Sequence, residues 1–144
     1  MKPNMLICID SCVFIRSIQD KTSDAGQLFD LLSSSLPLVI PRLVAQEVVR
    51  NLAHPEQAKT FYQLFVSRSF AFIVEEPVPR ELVFKYVELG LPAKADAFIG
   101  AFAEWLQVDY LISDNRHFLR QLKTDAYQIV DPKQFVSIWE PDKA

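Results

Sequence analysis

Short apolar runs alternate along this chain with segments of helical periodicity, and that alternation restricts the fold more than any other feature. Met5 to Ile9 and Phe70 to Val74 are apolar on consecutive residues, and Leu38-Val39-Ile40 is a shorter run flanked by Pro37 and Pro41. A strand covered on one face alternates apolar and polar, whereas one covered on both faces does not. Val108 to Ser113 and Tyr127 to Val130 read as two further strands. Between them, helices are expected from Ser11, from a Ser23 cap through Leu28, Phe29, Leu31 and Leu32, and from Pro41 through Leu43, Val44, Val48 and Leu52. Others are expected from Pro55 through Phe65, from Pro79 to near Gly90, from Lys94 to Leu106, after Arg116, and from Pro132. Strands alternating with helices predict an α/β/α sandwich of three layers around a central, mostly parallel sheet. Residues 1–144 read as a single domain.

Composition narrows the function classes. Half of the residues are hydrophobic, enough for a sizeable core. Only 3 residues are Gly, and neither a G-x-G-x-x-G nor a Walker A run occurs, so glycine-rich phosphate cradles are excluded. Fifteen Lys and Arg against 18 Asp and Glu leave a net charge of -3, which excludes a bulk electrostatic grip on nucleic acid but permits a local basic rim. The 2 Cys, Cys8 and Cys12, form neither a disulfide framework nor a zinc site and read as reduced thiols of a cytoplasmic protein. Asp10 interrupts the first apolar run after five residues, too short for an export signal or for a span of about 20 residues, so no membrane association is expected.

Four acids stand out by position. Asp10 ends the first strand and Asp114 follows Tyr110-Leu111-Ile112-Ser113 in the same way. In open parallel sheets, ligands sit beyond the carboxyl ends of strands, although either acid could simply cap the next helix. Glu47 falls on the apolar stripe of its helix, one residue before Val48, and a carboxylate facing a core needs a partner or a purpose. Arg42 or Arg50 could provide an ordinary ion pair, but the position favours function. Asp96 lies in a first helical turn, where an acid is favourable in any case, yet Ile99, Gly100 and Ala103 place it at the margin of a buried face. Converging acids repel one another unless a cation neutralises them, and ligands offering only oxygen favour Mg2+ or Mn2+ over zinc. Metal-assisted attack of water on a phosphodiester is the natural reaction for such a set.

These stretches, in order, resemble the successive motifs of PIN-domain proteins: Ile9 to Ile15, Val44 to Val48, Lys94 to Ile99, Leu111 to Phe118, and the closing Val130 to Phe135. The resemblance implies a PIN-like sandwich and a metal-dependent endoribonuclease. Small members of this kind are commonly VapC-like toxins of toxin–antitoxin pairs, so an RNA substrate, a cognate antitoxin and a homodimer are expected. Asp10, Glu47 and Asp96 match the family's acidic positions. Many members place the fourth acid two residues after the position of Ser113, where this chain has Asn115; either Asp114 or Asn115 would complete the set. Ser11, Arg16, Lys94, Ser113 and Arg116 are expected around the substrate. His117 reads as a surface residue, and the Phe61, Phe65, Phe70, Phe72 and Phe84 set as core or dimer surface. A catalytically weak or inactive PIN-like module that binds RNA or protein is the alternative.

Overall fold

The computed structural model describes residues 5–66, 69–91 and 94–140. Five parallel strands form one sheet: β1 (Ile7–Ile9), β2 (Leu38–Pro41), β3 (Ala71–Val74), β4 (Tyr110–Ile112) and β5 (Gln128–Val130), in the order β3-β2-β1-β4-β5. Helices α1 (Ser11–Gln19), α2 (Asp24–Leu31), α3 (Arg42–Arg50), α4 (Pro55–Val66), α5 (Arg80–Glu88), α6 (Lys94–Trp105) and α7 (Pro132–Trp139) flank it. The α/β/α sandwich expected from the alternating runs is the architecture observed.

The strands are buried because helices cover the sheet. Every residue of β1 and β2 is buried, and Phe14, Phe61, Phe102, Phe118 and Phe135 are completely enclosed around them. Phe14 meets Phe29 and Phe61 edge to face, at centroid separations of 5.8 and 5.2 Å. Of the phenylalanines expected in a core or dimer surface, Phe72 and Phe84 are half exposed. Among the described residues no helix is long and apolar enough to cross a membrane.

Two strands, β1 and β4, begin two residues later than the runs that predict them. Leu6 donates its amide to the Asp109 side chain at 2.9 Å, so the first ladder begins at Ile7 rather than Met5. Val108 does not enter β4 because its amide closes the end of α6 on the Ala103 carbonyl at 3.1 Å, after Gln107 turns through φ 56°. The helix expected after Arg116 is one wide turn, His117–Gln121, in which the Leu122 amide reaches back five residues to the His117 carbonyl.

Register positions the chemistry. Ile9 pairs with Ile112, and the Asp10 amide donates to the Ile112 carbonyl at 3.0 Å, so both strands end at the same level. The order β3-β2-β1 runs to one side of β1 and β4-β5 to the other. The carboxyl ends of β1 and β4 therefore flank the sheet's topological switch point, the usual ligand crevice of an open parallel sheet.

Candidate active site

At that switch point, Asp10, Ser11, Cys12, Glu47, Asp96, Asp114 and Asn115 line one cleft of about 320 Å3. Each arrives by a local rule. Asp10 is the N-cap of α1 and accepts the Ser11 amide at 2.8 Å, so it is both a cap and a cleft residue. Glu47 comes from the second turn of α3, on the side of Val44 and Val48 that faces the core, and is itself half-buried. Asp96 stands in the first turn of α6 with its side chain 16% exposed. Asp114 and Asn115 follow β4 after Ser113.

Asp10 is the most constrained. It is 5% exposed, and its Oδ2 accepts the Ser113 hydroxyl at 2.9 Å. Ser113 is fully buried, with its oxygen in turn accepting the Asn115 amide at 2.9 Å. Ser113, expected near substrate, is thus placed behind the cleft, where it orients Asp10. Burial pushes the Asp10 carboxyl above its ordinary pKa, and the charges of Asp96 and Glu47 push it further in the same direction; the hydrogen bonds from Ser113 and Ser11 oppose this without cancelling it. The Ser11 hydroxyl, also expected near substrate, donates to Glu47 Oε2 at 2.9 Å. Neither Arg42 nor Arg50 is the partner of Glu47 here; Arg42 pairs with Glu75.

The fourth acid is arranged differently. Arg16 grips Asp114 through two bonds of 3.0 Å and also pairs with Asp24, so the guanidinium expected on RNA phosphates is spent on two carboxylates. Asn115 Oδ1 accepts the His117 amide at 2.9 Å, an Asx turn that opens the wide turn. This brings His117 Nδ1 to 3.4 Å from Asp96 Oδ2, so His117 is a cleft neighbour rather than the plain surface residue it resembles in sequence. The signal was the Asn-x-His spacing, which lets the Asn115 side chain capture the His117 amide and close the turn on that residue. Arg116 is exposed, and the Lys94 side chain lies outside the described residues. Cys12 lies 3.7 Å from Asp10, and burial, then the Asp10 charge, pushes its thiol up to about 12, which removes it as a nucleophile.

A larger cleft of about 1090 Å3 opens at the opposite edge, by the amino ends of β4 and β5, between Lys85, Glu104, Lys123 and Asp125. Its charges are mixed, and Glu104 is already held by Lys85 and Tyr86 at 2.8 Å each. Size does not make it the reactive site. The smaller cleft is the one at the switch point, and it gathers the carboxylates of Asp10, Glu47, Asp96 and Asp114. Among the described residues, no three His, Cys, Asp or Glu side chains stand in a geometry that closes around a metal ion. The chemistry of the donors nevertheless fits a hard cation, because Asp10, Glu47 and Asp96 all offer carboxylate oxygens and two of them raise the pKa of the third.

Fold and cleft together give a PIN-like α/β/α fold with an acidic site at its switch point. The same fold occurs in VapBC2 from Rickettsia felis, solved bound to a DNA fragment from its promoter, with 17% identity and a TM-score of 0.63 over 88% of this chain and 98% of that one. PAE2754 from Pyrobaculum aerophilum shares it at 17% identity and a TM-score of 0.60, over 95% and 98% of the two chains. FitAcB from Neisseria gonorrhoeae shares it at 17% identity and 0.54, over 88% and 98%. No family model and no curated protein sequence matches the chain.

Proposed function

We propose that this protein is a Mg2+- or Mn2+-dependent endoribonuclease of the cytoplasm and the toxin member of a toxin–antitoxin pair. One observation carries the reading. Asp10 from the end of β1, Glu47 from α3 and Asp96 from α6 face one cleft at the switch point, with the ionisation of Asp10 opposed first by burial and then by the charges of the other two. A hard cation held by these three would neutralise that repulsion, polarise a phosphate oxygen and acidify a water molecule.

The protein's own residues supply orientation. The Ser11 amide and Ser113 hydroxyl hold the two Asp10 oxygens, and the Ser11 hydroxyl fixes Glu47, so one α1 residue sets the spacing of two acids. His117 stands beside one Asp96 oxygen. Arg116, exposed next to Asn115, and Lys94, at the start of α6, are the cations for RNA phosphates. VapBC2 and FitAcB are toxin–antitoxin proteins, which supports a proteinaceous antitoxin. In this reading the antitoxin covers the acidic cleft and the working unit is a homodimer.

Cleavage of a mixed RNA panel with Mg2+, Mn2+ or EDTA, beside an Asp96→Asn control, tests the reading. Cleavage should need metal and fall at least about a hundredfold in the variant, the scale for removing one electrostatic stabiliser. Retention of RNA without metal and without cleavage, unchanged by Asp10→Asn, would replace the enzyme with a binding module.

A further inference from the structure

Asp114 and Arg16 lie 98 positions apart in the chain and meet at the rim of the acidic cleft. Arg16 Nε donates to Asp114 Oδ2 and Nη2 to Oδ1, both at 3.0 Å, while Nη1 turns to Asp24 at the start of α2. Both Asp114 oxygens are thus engaged by a full positive charge. The other three acids are held differently: Asp10 by neutral donors on Ser11 and Ser113, Glu47 by the Ser11 hydroxyl, and Asp96 beside an imidazole at 3.4 Å. The neighbouring candidate, Asn115, has its side-chain oxygen on the His117 amide. Neither residue at the fourth position is free.

We propose that Arg16 is a built-in counter-cation that withholds the Asp114 oxygens from a bound ion, so that a divalent ion is held through Asp10, Glu47 and Asp96 alone. Arg16 is then a positioning residue that sets how tightly the ion is held; this rests on the metal-dependent reading above. A planar guanidinium making two parallel bonds is the strongest partner a carboxylate finds among side chains, and lysine cannot reproduce the fork. The side chains of Arg16 and Asp114 are 37% and 33% exposed, so the pair can be opened by substitution without emptying a core position.

Calorimetric titration with Mn2+ of the wild type, Arg16→Gln, Arg16→Lys and Arg16→Gln/Asp114→Asn tests this. Arg16→Gln should bind Mn2+ about tenfold tighter, the order of coupling between neighbouring charged groups. Arg16→Lys keeps the charge but loses the fork, and should still gain several-fold. The double variant, which removes the neutral pair as a unit, should return to within about twofold of the wild type. An Arg16→Lys constant equal to the wild type would leave only charge at a distance and overturn the proposal. So would an Arg16→Gln constant that does not tighten, or a double variant about tenfold weaker than the wild type, since Asp114 would then already be a ligand. Mn2+ binding by the wild type with these constants unmoved defeats the Arg16 inference alone, whereas no binding by any of the four proteins defeats the metal reading with it.

Discussion

Asp10 gives the most direct residue-scale expectation, because its ionisation is set against folding. Burial raises its pKa above the ordinary carboxylate value of 3.8, with Asp96 and Glu47 adding to the effect. A group whose folded pKa is raised contributes stability below its unfolded pKa, and that contribution is lost as pH climbs through the folded value. In EDTA, therefore, Asp10→Asn should melt at a higher temperature than the wild type at neutral pH, with the two curves meeting as pH falls toward about 4, the unfolded carboxylate range. A melting temperature below that of the wild type across this pH range would mean that the Ser113 hydrogen bond outweighs the buried charge. In sequence, Asp10 was marked by its place at a strand end, Glu47 by an apolar helical stripe where a carboxylate is expensive, and Asp96 by the margin of a buried face. The fate of Asp114 was not, since its partner Arg16 lies 98 residues away and no local rule selects it. His117 was hidden for another reason. Its position depends on the Asn115 side chain capturing its amide, a bond that competes with ordinary helix geometry and produces the wide turn.

At the scale of elements, α6 carries Asp96 into the cleft, and its seating depends on Gly100. A Cβ there would stand 2.7 Å from the Tyr86 ring of α5 and 3.1 Å from Leu91. Tyr86 cannot easily yield. It is fully buried, its hydroxyl reaches Glu104 at 2.8 Å, and its ring stacks on Tyr127 at a centroid separation of 6.3 Å. Tyr127 in turn donates to the Gly100 carbonyl at 2.9 Å. Gly100→Ala should accordingly destabilise the fold by about 1–3 kcal/mol despite the better helix propensity of alanine, the range for overpacking a filled interface. Denaturant unfolding would measure it, and a neutral or stabilising result would show that α5 and α6 slide apart at little cost. The helix itself was readable from Phe98, Ile99, Phe102 and Ala103, and its end to within one residue, whereas the start of β4 was not. Val108 reads as strand in sequence, and only tertiary closure, its amide on the Ala103 carbonyl, keeps it out of the ladder. The same holds for β1, where a side chain of Asp109 takes the Leu6 amide that a longer ladder would have used.

For the molecule as a whole, the acidic cleft sits in a chain of net charge -3, so little long-range positive field relieves the carboxylates, and ion binding should feed directly into global stability. The fold's layered order was legible because continuous apolar strands admit few architectures besides a covered parallel sheet, but the strand order β3-β2-β1-β4-β5, which makes β1 and β4 neighbours, is a tertiary fact. That neighbourhood brings residues about a hundred positions apart into one site, as the Ser113 to Asp10 bond across 103 positions illustrates. An ion that binds the folded protein and not the unfolded chain stabilises it by mass action, about 2.7 kcal/mol at a hundredfold excess over its dissociation constant. For a domain of this size that corresponds to a rise in melting temperature of roughly 5–10 °C. Mn2+ or Mg2+ should produce that rise in the wild type, Ca2+ and monovalent salt at matched ionic strength should produce less, and Asp10→Asn combined with Glu47→Gln should abolish it. The loss in the double variant matters most, because metal ions also bind weakly to scattered surface carboxylates. Were the rise to persist without Asp10 and Glu47, the ion would be elsewhere on the molecule, and the convergence of these acids would need a different explanation.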